Sequence, residues 1–177
     1  MSKLAFRGLA LGAVIALLGV GSYAIAGSGT NNFDGTPMTG YQENADVSTT
    51  GTGSFDARLS PSGDSLQYEL SYSGLEGNVL QAHIHFGKTA VNGGVSFFLC
   101  TNLNAATDDD CPQSGTVTGE IDATDVIGPT AQGIEAGNLA EIVAAMRAGH
   151  AYANVHSSKW PGGEIRAQIN DKGGSSG

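Results

Sequence analysis

Positive charge is scarce in this chain: eight Lys and Arg stand against 17 Asp and Glu among 177 residues, a formal charge of −9. Affinity for nucleic acid comes mostly from Lys and Arg displacing counterions from phosphates, so the balance counts against a nucleic-acid partner. Charged residues of either sign make up only 14% of the chain, yet hydrophobic residues reach 40%. That hydrophobic content argues against a chain disordered throughout. Also missing are a Gly-x-Gly-x-x-Gly opening a helix after a strand, a Walker loop and an alternating βαβ series, so nucleotide chemistry has no support. No serine sits in a Gly-x-Ser-x-Gly elbow. A glycosidase pair would have to come from Glu69, Glu76, Glu120 or Glu164, and nothing singles out two of them. Cysteine occurs only twice, as Cys100 and Cys111. What remains is a chain of one-domain length, rich in glycine, with 27 Gly.

The first residues bear on compartment. Lys3 and Arg7 form a positive n-region, residues 9–20 are apolar apart from glycines, and Ala24-Ile25-Ala26 places small residues where a signal peptidase reads. The pattern predicts a signal peptide over 1–26, cleaved after Ala26, and export to the periplasm or outside the cell. The apolar stretch 8–26 is also long enough for an uncleaved anchor, but the Ala-x-Ala pattern and the polar residues 27–32 favour cleavage. Removal of 1–26 takes away Lys3 and Arg7, moves the charge from −9 to −11 and leaves 151 residues. So acidic a domain has little charge-driven attraction to an anionic membrane. In an exported protein Cys100 and Cys111 are expected to form a disulfide rather than a metal-thiolate pair.

Along the mature chain, residues 27–32 read as a flexible leader and 171–177 as a Gly/Ser tail. Between them strand-like alternation recurs. Phe55, Ala57 and Leu59 alternate with Asp56 and Arg58; after the turn at 60–64, Leu66, Tyr68, Leu70 and Tyr72 alternate with Gln67, Glu69 and Ser71. That pattern predicts a β-hairpin with one buried face. Further strands are expected at 79–86, 95–100, 115–121, 151–156 and 164–169, the spacing of a sandwich or barrel. One helix is expected near 138–148, with Asn138 as N-cap, Glu141 three residues on, Leu139, Ile142, Val143 and Met146 on one face, and Gly149 at C′.

The four histidines fall in two short stretches, Ala82-His83-Ile84-His85-Phe86 and His150-Ala151-Tyr152-Ala153-Asn154-Val155-His156. Residues two apart on a strand share a face, so His83 and His85 point one way while Ala82, Ile84 and Phe86 point the other. His156 shares its face with Tyr152 and Asn154. If the two strands are neighbours, His83, His85 and His156 converge on one point. Three neutral imidazoles suit copper or zinc, with a fourth position open or filled by His150, Glu164 or water. The competing reading is a buried polar network, each ring nitrogen satisfied by a side chain or backbone group. Glu164 and Arg166 are candidates to orient the histidines or to pair with each other, alongside Tyr152 and Asn154. Asp108-Asp109-Asp110 lacks the alternating spacing of a calcium loop and reads as a solvated acidic run.

Several of these pieces, in this order, resemble the CHRD family, first noticed as repeats in the extracellular protein chordin and found alone in exported bacterial proteins. They are Leu70 to Gly77, Gln81-Ala82-His83-Ile84-His85-Phe86-Gly87, Val91-Asn92-Gly93-Gly94-Val95, Ser114 to Gly119, Asn154-Val155-His156 and Pro161-Gly162-Gly163-Glu164-Ile165-Arg166. The resemblance spans about residues 33–170 and implies an immunoglobulin-like or superoxide-dismutase-like Greek-key β-sandwich. It departs at Gly40-Tyr41-Gln42-Glu43-Asn44-Ala45, where the first strand is less secure, and His150 matches no fixed family histidine. The fold carries over better than function does. Two functions compete: a non-enzymatic binding or structural module for an extracellular or cell-envelope partner, holding Cu or Zn on the histidine face, and a redox enzyme resembling a copper-only superoxide dismutase, with Arg166 as anion guide.

Overall fold

The computed structural model describes residues 31–103 and 110–171. The segment 1–26 expected to be a signal peptide, residues 27–30, Asp108, Asp109 and the residues beyond Asp171 lie outside the described residues. Among the described residues run β1 (Asn32–Thr39), β2 (Thr52–Leu59), β3 (Ser65–Ser73), β4 (Val79–Phe86), β5 (Gly94–Thr101), β6 (Gly115–Asp122), α1 (Leu139–Arg147), β7 (Ala151–Ser157), β8 (Ile165–Gln168) and β9 (Asn170–Asp171).

Every strand expected from alternation is present, with ends displaced by a single residue at most. β1 differs: it starts at Asn32, assigned above to the leader. Its alternation is broken because the register with β2 shifts between Gly35 and Met38, around Pro37. Proline has no N–H for the ladder, so a bulge there resets the period and carries Phe33 and Met38 both into the core. Asp171, assigned to the tail, pairs with Phe33 of β1.

The strands are antiparallel and hydrogen-bonded in the order β5-β4-β7-β8-β1-β2-β3-β6, with β9 beside β1. β3 lies next to β6 and β4 next to β7, the crossed neighbours of a Greek key. The sheet curls so that its two halves share one core: Phe33, Phe55 and Leu70 from one side, Ile84, Phe97, Leu99, Val155 and Ile165 from the other. This is the all-β sandwich the alternation implies. The helix is capped as expected, Asn138 Oδ1 accepting from the Glu141 amide, and Gly149 takes φ +67° just past its end. Leu139, Ile142, Val143 and Met146 bury its inner face, which packs against β7 and β9.

The free edges of β5 and β6 meet without a ladder. The Tyr68 hydroxyl crosses the seam to donate to the Leu99 carbonyl at 2.6 Å, and the Ile127 amide donates to the Ser96 carbonyl at 2.8 Å. Gly119, opposite Tyr68 in the β3–β6 register, leaves room for the ring; a Cβ there would stand 2.6 Å from the hydroxyl. The Cys100–Cys111 disulfide is formed, and Asn102 bonds both the amide and the carbonyl of Cys111.

Because a buried carbonyl that loses its donor keeps its desolvation cost, Tyr68→Phe is expected to lower stability by about 1–2 kcal/mol. Urea unfolding checks this; a midpoint equal to that of the parent protein means that the seam does not depend on this contact.

Candidate metal centre

The core takes Ala82 and Ile84 from β4 and Ala153 and Val155 from β7. Alternation therefore turns His83 and His85, and Asn154 and His156, to the outer face of the sheet. β4 and β7 are neighbours, with His83 opposite Asn154, His85 opposite Tyr152, and Gln81 opposite His156. Loops carrying Gly93 and Pro161 cover this outer face, so the histidines are only 2%, 8% and 5% exposed, for His83, His85 and His156.

The loops do more than exclude water. His85 Nδ1 lies 3.0 Å from the Gly93 carbonyl, and His156 Nδ1 lies 3.0 Å from the Pro161 carbonyl. A carbonyl only accepts, so each Nδ1 carries the proton and each Nε2 keeps a lone pair. His85 Nε2 faces His83 Nδ1 at 3.3 Å. Two nitrogens bound to one ion at about 2.0–2.1 Å stand roughly 3.3–3.6 Å apart at tetrahedral to trigonal angles, so this pair is already at ligand spacing. One ligand atom from each of the three rings lies within 4.8 Å of the others, so closure on a single ion needs an adjustment of about 1 Å. The Nε2 atoms of His83 and His156 are buried with no hydrogen-bond partner. A fully satisfied polar network would leave neither.

Burial pushes the His83 ring down to about 3, helped by the nearby His156 and His85. Burial likewise lowers His85 to about 4, against the opposing bond to Gly93, and lowers His156 against its bond to Pro161. All three are neutral at pH 7, the form that binds metal.

The remaining candidates sort by what they touch. Tyr152 stacks flat on His85, with ring centroids 4.7 Å apart, and its hydroxyl accepts from the Gly93 amide. Arg166 lies 3.3 Å over the other side of that Tyr ring and donates to the Val91 and Lys88 carbonyls. At 1% exposure it braces the loop over the site rather than standing in an open channel, which corrects its reading as an anion guide. It is not paired with Glu164, whose Oε1 accepts from the Thr49 hydroxyl and the Glu76 amide. Glu164 does not belong to the ligand group. Asn154 donates to Glu43 Oε1 and to the Ile165 carbonyl rather than to a histidine. His150 is exposed ahead of β7 and outside the group. Asp110 is exposed too.

Two contributors were not named from sequence. Phe98 packs edge to face on His83, with centroids 4.6 Å apart; the β5 register, shifted by bulges beside His83 and His85, hid it. Glu43 is buried against Asn154 and is raised by that burial to about 7, despite the Asn154 bond and the Arg166 charge. Gly163, at φ +130°, makes this approach possible, since a Cβ there would stand 2.7 Å from Glu43 Oε1.

An antiparallel β-sandwich with three neutral histidines gathered on the outer face of one half defines the class. The CHRD domain model matches residues 35–169, and the chain belongs to the CHRD domain family. No curated protein and no solved structure matches it.

The pH dependence of stability follows from these groups. A histidine held neutral in the folded state protonates first in the unfolded chain, near 6.5. Below that pH each one removes stability at up to about 1.4 kcal/mol per pH unit until its folded value is reached. For His83 the window runs from 6.5 to about 3, and for His85 from 6.5 to about 4. Glu43 acts oppositely, adding stability as pH falls from about 7 to 4.5. The histidines outnumber it, so the urea midpoint of metal-free protein is expected to fall between pH 6.5 and 4, and more steeply in Glu43→Gln. A midpoint flat across that window contradicts the buried neutral cluster.

Proposed function

We propose that this chain is an exported, non-enzymatic binding module that holds one Cu or Zn ion through His83, His85 and His156. The observation that carries the reading is the convergence of three buried, neutral imidazoles, with His83 Nδ1 and His85 Nε2 at ligand spacing and His156 Nε2 without another partner. Tyr152 fixes the plane of His85, and the Gly93 and Pro161 carbonyls fix two tautomers, the outer support that metal-binding histidines require. Membership of the CHRD family is in keeping with a module that binds rather than turns over substrate.

Export is the companion proposal. It rests on the Lys3/Arg7 n-region, the apolar stretch and the Ala24-Ile25-Ala26 site, and is supported by the disulfide, a bond of oxidising compartments. No helix among the described residues is long and apolar enough to cross a membrane. The partner proposed is an extracellular or cell-envelope component. A dismutase-like reaction would need an open metal position and a cation facing an incoming anion. The burial of the histidines and of Arg166 gives that reading less support.

The test is titration of chelator-treated protein with Cu or Zn. One equivalent per chain is expected in the parent protein, with saturable binding lost in the His83→Ala/His85→Ala double variant. Absence of saturable binding in the parent protein refutes the metal module. Copper-loaded protein should consume superoxide no faster than free copper; consumption well above that level, lost in His156→Ala, would instead favour the enzyme.

A further inference from the structure

We infer that the three-histidine centre selects a monovalent, low-coordinate ion, Cu(I), over the divalent ions Zn(II) and Cu(II). The inference rests on the metal-module reading above and narrows it to one ion and one oxidation state.

The donor set is the starting point. The group supplies three imidazoles and neither a carboxylate nor a thiolate. Structural Zn(II) is closed by four donors in a tetrahedron, and Cu(II) takes a tetragonal set. A three-nitrogen site leaves both short of a ligand. Cu(I), a d¹⁰ ion of lower charge, is satisfied by three nitrogen donors with no preferred fourth.

A divalent ion would complete its shell with water, and the covering of the site works against that. A buried water needs both volume and polar partners. Among the described residues the cleft between β5 and β6, about 400 Å³, reaches Gln81 and Phe98, neighbours of the site, but no histidine of the group lines it. Phe98 accounts for the gap: one side of its ring packs on His83, while the residue is 41% exposed. It stands as a wall between the cleft and the ligand cluster, and it offers no hydrogen bond to a water there.

Charge points the same way. The cost of burying an ion grows as the square of its charge, so a dication costs about four times as much as a monocation in the same surroundings. An anionic ligand would offset that cost, but neither nearby carboxylate belongs to the ligand group: Glu43 Oε1 accepts from Asn154 and Glu164 Oε1 from Thr49 and the Glu76 amide, which leaves only Glu164 Oε2 buried without a partner. The guanidinium of Arg166, stacked on the Tyr152 ring that itself stacks on His85, adds positive charge on one side of the cluster.

The experiment titrates the purified protein anaerobically with Cu(I) in competition with bicinchoninate, and separately with Zn(II) in competition with 4-(2-pyridylazo)resorcinol. One equivalent of Cu(I) is expected, held at least about 100-fold more tightly than Zn(II), with three nitrogen neighbours at about 2.0 Å by X-ray absorption. Phe98→Ala removes a partly exposed ring that ligates nothing. It should keep the Cu(I) stoichiometry while narrowing the Cu(I) to Zn(II) ratio about tenfold, as water gains entry. Zn(II) affinity equal to or above that of Cu(I), or a fourth light neighbour on bound Cu(I), overturns the selectivity and leaves the metal module standing. An unchanged ratio in Phe98→Ala overturns closure by Phe98 as its basis. Absence of saturable binding of either ion overturns both readings together.

Discussion

The antiparallel pairing of β4 with β7 is the constraint on which the rest of the structure depends. Its register sets His83 against Asn154, His85 against Tyr152 and Gln81 against His156. Because side chains alternate faces, the same register sends Ala82, Ile84, Ala153 and Val155 into the core. A slip of one residue would exchange the two sets, burying imidazoles between the sheet halves and turning aliphatic side chains outward. The hydrophobic effect therefore enforces the position of the histidines indirectly: it fixes the inner face, and the outer face follows. The site is a consequence of core packing, with no separate device needed to align its strands.

An outer face of a sheet is ordinarily wet, and three imidazoles there would titrate near neutrality. This face is buried because loops rich in glycine fold over it and turn backbone carbonyls inward. Gly93 and Pro161 each present a carbonyl to a histidine Nδ1, while Arg166 holds the 88–91 loop down by two carbonyls. Covering the rings costs the hydration of each imidazole, which the carbonyls restore on one nitrogen of His85 and one of His156, while His83 Nδ1 meets His85 Nε2. The Nε2 atoms of His83 and His156 are left without a partner in the protein alone. A fold that desolvates lone pairs and supplies no donor for them has stored a preference for a Lewis acid.

Much of this arrangement was legible in the sequence, for a definite reason. Period-two patterns are strong where one face is apolar, so β2 and β3 were clear, and His-x-His on a strand could only point one way. The convergence with His156 required that β4 and β7 be neighbours, a long-range pairing that local periodicity cannot state. β1 was obscured by the bulge around Pro37. Arg166 was misread because strand alternation reports the face of a residue and not whether a loop will cover it. Glu43 was missed for a similar reason: it precedes β2 in an irregular segment and reaches Asn154 only because Gly163 has no side chain.

The placement of Arg166 and Glu43 bears on whether the centre binds or reacts. A catalytic guanidinium must meet an incoming anion, and a catalytic carboxyl must exchange protons with solvent or substrate. Here the guanidinium is spent on two carbonyls and an aromatic ring, and the carboxyl on an amide. Arg166 sits in the one row that links β4, β7 and β8, with His83 opposite Asn154 and Asn154 opposite Arg166, and Glu43 joins that row by accepting from Asn154. Their polar groups bind this row to the covering loops, so opening the site to a substrate would break several buried hydrogen bonds at once. In the metal module proposed above, such a centre would retain an ion out of contact with water, and its selectivity would be set by what it withholds, a fourth ligand and a balancing charge, as much as by the three nitrogens it provides.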